Sequence, residues 1–425
     1  MLSQFFVSIL VLTTIFGTHL GIAKEKEAVS LARLRAAQQT FLEKKTKSED
    51  ALEKPPQDAP FELVQYPTEI GEMWAYLSSE KVKNQEAKPP AKKPAIVWLT
   101  GGVPPAGPGS YLWEETQLEN EQSARIYRLN GITMMFPTVR GTIKENPGHH
   151  EWFYGEVDDV VSACEFLAQR PEVDPERIYV GGHSGGGTLA LLVAASTTKV
   201  AGVISFGPSE KDYESKDRPY RLSEREQQLR WPIKHLHRIK VPTYVVGGEY
   251  QDQPSLQSLS KANENPLVKF YSIEGADHFN VLHPVNVLFA DAILQSKDGV
   301  LKIPKKDLQQ CYLKHARRLR ETGDLEILAD YRSRGMDLDR HRTVSFYYLA
   351  AEKRDFTEKF RAAAEAAEFE YREAKKFENS GGDYYALVLT KKLNLQDLRE
   401  LFSATKEAAE LGDEFELQYD DWSAE

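Results

Sequence analysis

The chain has 425 residues, of which 41% are hydrophobic, and a chain of this size and composition is expected to form two domains with buried cores. Its formal net charge of −10 argues against a protein built to neutralise nucleic-acid phosphates. The chain has only two cysteines. Cys164 falls on an apolar stripe with helical spacing and is expected in a core, and no spacing indicates a disulfide framework.

The N-terminus is predicted to be a signal peptide covering residues 1–23. It contains a run without charged residues over 5–16, and small residues at Gly21 and Ala23 suit cleavage before Lys24. The run is short for a membrane span, which needs about 20 residues. No Lys or Arg precedes the run, so an uncleaved anchor is the alternative. We therefore expect an exported protein, periplasmic or extracellular, with no other attachment to a membrane.

A charged helix and linker are predicted for residues 24–60, because an apolar stripe of helical spacing there ends at two prolines. From residue 61 the pattern changes. Residues 61–66 and 73–77 alternate between apolar and polar side chains, which predicts the two strands of a hairpin.

Strands and helices then alternate through residue 297, which predicts an α/β domain with a mostly parallel sheet over residues 61–297. The predicted strands are 95–99, 132–136, 177–180, 200–206, 243–246 and 268–273, and the predicted helices are 113–130, 156–169, 188–195 and 284–295. A polar segment at about 211–240 is predicted to be a small cap over a site.

The main chemical signal is Gly182-x-Ser184-x-Gly186, which lies between an apolar strand and an apolar helix. A nucleophile on a sharp strand-to-helix turn needs small neighbours, and the helix N-terminus favours negative charge that develops nearby. Ser184 is therefore the predicted nucleophile, and a glycine-rich turn with a structural serine is the alternative.

A serine hydroxyl needs a base that removes its proton. His278 follows the last predicted strand, where this motif places its base, and His283 is more simply a residue at the start of the final helix. Two carboxylates compete to orient the imidazole, Asp252 and Glu249, since both follow the strand at 243–246. Asp252 is preferred, and Asp277 is expected to be structural because it adjoins His278.

Two backbone N–H groups are expected to receive the oxyanion. One belongs to Gly185, and the other to Gly102 or Val103 in the glycine-containing loop after the strand at 95–99. Two further histidine pairs occur in the sequence, at positions 149 and 150 and at positions 235 and 237. Neither has a Cys, Asp or Glu at ligand spacing, so we predict no metal and no cofactor.

Beyond the α/β domain, a linker helix is predicted at 298–323 and a separate domain at 324–425. Its predicted order of elements is βαββαβ, which favours an α+β ferredoxin-like sandwich. The strands are expected near 343–348, 369–372, 384–389 and 415–419, and the helices at 356–367 and 395–411.

Residues 61–295 resemble the catalytic domain of the prolyl oligopeptidase and dienelactone hydrolase branch of the α/β-hydrolases. The matching stretches are Ile-Val-Trp-Leu-Thr-Gly-Gly at 96–102, Pro-Thr-Val-Arg-Gly at 137–141, Gly-Glu-Val-Asp-Asp at 155–159, the serine motif, and Gly-Ala-Asp-His at 275–278. The resemblance implies a Ser-Asp-His triad, an acyl-enzyme and no metal. Residues 24–60 are too few for the β-propeller of the family's peptidases, and the spacing from Gly248 to Asp252 is one residue longer than usual. An esterase is therefore as well supported as a peptidase.

Residues 324–422 resemble the RraB family, regulators of ribonuclease E. Arg-Gly-Met-Asp-Leu at 334–338, Val-Ser-Phe-Tyr-Tyr at 344–348 and the ending Glu-Leu-Gln-Tyr-Asp-Asp-Trp at 416–422 carry this resemblance. It implies a ferredoxin-like binding module. We carry over the fold and not the partner, because an exported protein would not meet a cytoplasmic ribonuclease.

The sequence therefore predicts an exported serine hydrolase that acts on a small-molecule or peptide substrate, with a C-terminal domain that binds a protein or the substrate. The alternative is an inactive hydrolase-fold scaffold whose C-terminal domain binds a protein partner.

Overall fold

The computed structural model describes residues 29–38, 40, 45–79, 91–102, 107–114, 116–211, 223–297, 299–338, 341–350, 357–379, 382–415 and 417–424. The predicted signal peptide lies outside the described residues. Within these ranges no helix is both long and apolar enough to cross a bilayer.

Eight strands form the larger sheet, in the order β1-β2-β4-β3-β5-β6-β7-β8. They are β1 (Phe61–Thr68), β2 (Gly71–Ser78), β3 (Lys93–Leu99), β4 (Thr133–Pro137), β5 (Val173–His183), β6 (Gly202–Phe206), β7 (Thr243–Gly248) and β8 (Val268–Ile273). The β1–β2 hairpin is antiparallel, β2 also pairs antiparallel with β4, and β3 to β8 pair parallel. This strand order is that of the α/β-hydrolase fold, as predicted.

Helices cover both faces of this sheet, so its central strands are buried on both sides. They are α1 (Leu31–Ala36), α2 (Ile126–Leu129), α3 (Glu156–Ala168), α4 (Gly185–Ala194), α5 (Glu224–Gln228), α6 (Glu249–Ala262) and α7 (Leu282–Gln295). Cys164 faces the core from α3 as predicted, in the apolar cluster that α3 and α4 share with one face of the sheet. The other face packs on α2 and α7.

The predicted helix at 113–130 is wrong except at its end. Among its described residues this stretch forms a short 3-10 turn at Leu118–Asn120, another such turn precedes it at Ser110–Leu112, and only α2 is α-helical. The buried carboxylate of Glu121 accepts hydrogen bonds from the backbone N–H groups of Ser123 and Arg125 and from the Ser123 hydroxyl. These bonds hold the backbone in turns, because a side-chain acceptor competes with the helical C=O groups.

The C-terminal region forms a four-stranded antiparallel sheet of order β10-β11-β9-β12. Its elements are β9 (His341–Ala350), α9 (Thr357–Ala366), β10 (Glu370–Asn379), β11 (Gly382–Asn394), α10 (Leu398–Glu414) and β12 (Gln418–Ala424). The βαββαβ order and this strand arrangement make the predicted ferredoxin-like sandwich. The preceding helix α8 (Lys305–Ser333) runs unbroken through the predicted boundary between linker and domain.

Candidate active site

Ser184 lies on the sharp turn between β5 and α4. Its backbone has φ 57° and ψ −118°, a conformation that costs a non-glycine residue about 1–3 kcal/mol. The turn is held because the Ser184 N–H donates to the C=O of Phe206 at 2.8 Å and its own C=O accepts from the N–H of Thr188 at 2.9 Å. Ser184 therefore occupies the strained position that the motif predicts for a nucleophile.

The loop after β3 crosses directly over the start of α4. A Cβ built on Gly185 would lie 1.8 Å from the C=O oxygen of Gly102, and one built on Gly101 would lie 3.4 Å from Cβ of Ser184. The first distance is far below van der Waals contact, so the backbone of Gly102 can approach α4 this closely only because residue 185 is glycine, whereas the contact at Gly101 is an ordinary one. The structure thus brings Gly185 and Gly102 beside Ser184, where the oxyanion prediction needs them, while Val103 lies outside the described residues.

His278 and Asp252 form a hydrogen-bonded pair at the carboxyl ends of the neighbouring strands. Nδ1 of His278 lies 2.6 Å from Oδ1 of Asp252, whose side chain is 6% exposed. The other carboxylate oxygen of Asp252 accepts from the N–H of Gly248 at 2.9 Å. With both oxygens engaged, Asp252 is fixed in orientation and keeps the Nδ1–H of the imidazole directed towards it.

Glu249, the alternative acid, has a different partner. Its Oε2 accepts from the backbone N–H of Gly275 at 3.0 Å, within the turn that leads to His278. Between Gly248 and Asp252 the backbone is kinked, and Gln251 at this kink has φ 77°. The geometry therefore assigns Asp252 to the imidazole and Glu249 to the turn.

Asp277 and His283 also lie where the sequence analysis expects them. Asp277 accepts from the backbone N–H groups of Phe279 and Asn280, so its carboxylate stabilises a turn. His283 lies in the first turn of α7, and its ring packs 5.0 Å, centre to centre, from that of His315 in α8.

His183 was missed by the sequence analysis. Its Nε2 donates to the backbone C=O of His278 at 2.8 Å, and the two imidazole rings lie 4.4 Å apart. Burial, with the nearby His278 as a smaller cause, lowers the pKa of His183 to about 4, so this ring is neutral at pH 7. The only signal in the sequence is its position directly before Ser184, which does not specify a partner 95 residues away.

A cleft of about 580 Å³ opens beside Ser184 and His278. Its lining is Thr100, Gly101, Gly102, Gly107, Tyr111, Thr116, Asn120, Gln122, His183, Ser184, His278 and Phe279. One wall therefore comes from residues 107–122. Within the predicted cap, the 3-10 turn Pro232–Lys234 packs against α4 and α6, and none of residues 223–240 is among the described residues that line this cleft.

The described residues include no cluster of three or more His, Cys, Asp or Glu side chains arranged to hold a metal ion.

Comparison with known proteins relates two separate segments of the chain to two families. Residues 122–249 match the prolyl oligopeptidase family, and residues 322–424 match RraB, "Regulator of ribonuclease activity B". Both resemblances drawn from the sequence are thereby confirmed.

Among curated proteins, the uncharacterized peptidase YtmA of Bacillus subtilis (strain 168) is 26% identical over 203 residues, which are 43% of this chain and 74% of the relative. Among solved structures, a Mycobacterium tuberculosis puromycin-hydrolyzing peptidase is 19% identical with a TM-score of 0.43, and the match covers 56% of this chain and 38% of that one. A Pyrococcus horikoshii acylaminoacyl peptidase is 15% identical with a TM-score of 0.42, with 59% and 44% covered. The chain thus spans less than half the length of these two solved structures.

Proposed function

We propose that this chain, which joins a hydrolase domain matching the prolyl oligopeptidase family to an RraB-type module, is a serine hydrolase with Ser184 as nucleophile. The family match supports a hydrolase. The observation that carries the assignment of residues is the 2.6 Å bond between His278 and Asp252, at the same sheet edge as the strained Ser184. An inactive scaffold has no chemical need for a strained serine together with an oriented imidazole.

The mechanism follows from the arrangement. With Nδ1–H donated to Asp252, Nε2 of His278 is free to take the proton of the Ser184 hydroxyl as its oxygen attacks the substrate carbonyl carbon. The N–H of Gly185 and one from the loop at Gly102 stabilise the oxyanion. His278 then passes its proton to the leaving alcohol or amine as the carbonyl–leaving-group bond breaks. A water molecule, deprotonated by His278, hydrolyses the acyl-enzyme and regenerates Ser184.

The bond cleaved is proposed to be a carboxylic ester or a peptide amide. The described wall of the cleft offers an aromatic ring at Tyr111 and uncharged amides at Asn120 and Gln122. These groups suit a neutral acyl portion of moderate size, because each can pack against it or exchange hydrogen bonds with it without burying a charge.

Export to the periplasm or the extracellular space is proposed from the pattern of residues 1–23 alone. The C-terminal module is proposed to bind a protein partner or a polymeric substrate, which rests on its RraB match.

Labelling with a fluorophosphonate probe tests the catalytic assignment. Wild type should be labelled, and Ser184→Ala and His278→Ala should not. Asp252→Asn should be labelled far more slowly than Glu249→Gln, since the glutamine can still accept from Gly275. A well-folded wild type that is not labelled and hydrolyses neither esters nor peptides would instead support the inactive scaffold.

A further inference from the structure

The turn that carries His278 is held by its backbone. It lies in the connection between β8 and α7, residues 274–281, and Gly275 within it has φ 75°. From the acid loop, Glu249 accepts from the N–H of Gly275, and the N–H of Tyr250 donates to the C=O of Ala276 at 3.0 Å. Both contacts come from within the hydrolase domain, as does the bond from His183 to the C=O of His278.

Helix α8 holds the same turn from outside the predicted hydrolase domain. The Gln309 amide makes two bonds to the backbone of Glu274, accepting from its N–H at 2.9 Å and donating to its C=O at 3.0 Å. One helical turn later, the hydroxyl of Tyr312 donates to the C=O of Gly275 at 2.5 Å. Tyr312 is 7% exposed and packs in the same apolar cluster as Leu308 and α7, so its hydroxyl has little freedom to move.

The C-terminal half of α8 packs within the C-terminal module. Asp324 accepts from the Thr405 hydroxyl at 2.8 Å and from the indole N–H of Trp422 at 2.9 Å. Tyr312 and Asp324 are about 18 Å apart along one helix, at about 1.5 Å per residue. A single rigid element therefore contacts both the turn of His278 and the core of the second module.

We propose that Tyr312 is a positioning residue of the hydrolase site, which fixes the turn of His278 to the helix that carries the C-terminal module. This rests on the proposed function. The imidazole must keep Nε2 directed at Ser184, and a displacement of about 1 Å can cost up to about 100-fold in rate. Because the hydroxyl contacts the turn that carries His278 and Tyr312 is not among the residues that line the cleft, its loss should affect the chemical step more than substrate binding.

The test is Tyr312→Phe, which keeps the ring and removes the hydroxyl. Tyr331→Phe is the matched control, since Tyr331 lies on the same helix and its hydroxyl accepts from the N–H of Ala424 in the C-terminal module at 3.0 Å. With a small ester substrate, kcat should fall roughly threefold to tenfold in Tyr312→Phe at unchanged KM, the range expected for one lost hydrogen bond. Tyr331→Phe should keep the wild-type kcat. Gln309→Ala should lower kcat in the same way, and circular dichroism melts establish that all three variants fold.

Equal kcat values in the two tyrosine variants, or a change in KM alone, overturn this inference while leaving the proposed function intact. A wild type without turnover or probe labelling overturns the proposed function, and the inference falls with it.

Discussion

Gly207 lies against the hydrogen-bonded pair of His278 and Asp252. It has φ 49°, and a Cβ built on it would lie 2.6 Å from Nδ1 of His278 and 3.0 Å from Oδ1 of Asp252. No other residue type fits this position without moving the imidazole or the carboxylate.

We therefore expect Gly207→Ala to lower kcat about 100-fold, because the added methyl displaces His278 from its partner. Gly131→Ala is the matched control: Gly131 also has positive φ, at 79°, but a Cβ there would meet nothing within 4 Å. Both substitutions should cost about 1–2 kcal/mol of stability through backbone strain. Steady-state kinetics and urea unfolding separate the two effects. Equal kcat values in the two variants would show that the close packing at Gly207 is not needed for catalysis.

The two acids of the loop after β7 should differ sharply in kinetics. Asp252→Asn should lower kcat by about 10³–10⁴, because the amide no longer favours the tautomer with a proton on Nδ1 or stabilises the imidazolium. Glu249→Gln should change kcat by less than about threefold, since its oxygen still accepts from Gly275. The check is kcat on a chromogenic ester. A larger loss in the Glu249 variant would reverse the assignment.

At the scale of elements, the loop after β4 is joined to α3 by a buried ion pair. The guanidinium of Arg140 donates to both carboxylate oxygens of Asp159 at 2.7 and 3.0 Å, and the Asp159 side chain is fully buried. This pair fixes the loop that follows β4 against the helix preceding β5, the strand that ends at His183 directly before Ser184.

Asp159→Asn should therefore destabilise the fold by about 3 kcal/mol, the low end for a broken buried ion pair, because the guanidinium of Arg140 keeps only its 2.8 Å contact with the carboxylate of Glu151. Asp330→Asn is the control, because the pair between Asp330 and Arg334 is exposed on α8 and is worth less than about 1 kcal/mol. Urea unfolding measures both. A loss of less than about 1 kcal/mol in the Asp159 variant would contradict the importance of the buried pair.

At the scale of the whole molecule, the hydrolase core extends beyond residue 297. Leu301, Leu308 and Tyr312 are buried in the cluster that includes α7, and buried tyrosine hydroxyls donate to the backbone C=O groups of Gly299 and Leu301. The boundary between the two predicted domains therefore does not mark the end of the first core.

A chain ending at residue 299 should melt at least about 10 °C below one ending at Ser333. Each buried leucine-sized side chain that is lost costs about 1.5–3 kcal/mol, and 1 kcal/mol is worth about 2–4 °C for a domain of this size. Differential scanning calorimetry compares the two chains. Identical melting temperatures would mean that α8 adds nothing to the stability of the hydrolase domain.

Stability should also depend on pH through His235, whose Nε2 donates to the C=O of Gln228. Burial lowers the pKa of His235 to about 4 from an ordinary 6.5. As the pH falls through 6.5, the unfolded chain binds a proton that the folded chain does not. The free energy of unfolding therefore falls progressively as the pH is lowered from 6.5 towards 4.

Between pH 7.5 and 5.0 this loss is about 2 kcal/mol. Urea unfolding of His235→Gln should show a difference in stability between these two pH values that is smaller than the wild-type difference by that amount. If the stability difference between pH 7.5 and 5.0 is the same in His235→Gln and in wild type, His235 takes up its proton in the folded chain as readily as in the unfolded chain.

The sequence by itself determined the two fold classes, the order of most elements, and the serine and histidine motifs, because each of these depends on a local pattern of periodicity, glycine spacing or position after a strand. It predicted a helix at 113–130 wrongly, because the burial of Glu121 overrides an apparently helical pattern. Only the tertiary structure showed that Asp252, and not Glu249, bonds to His278, since both acids occupy one loop and the direction of each side chain decides its partner. It alone revealed His183 and Tyr312 as contacts of the His278 turn, because those contacts join residues that are far apart in the chain.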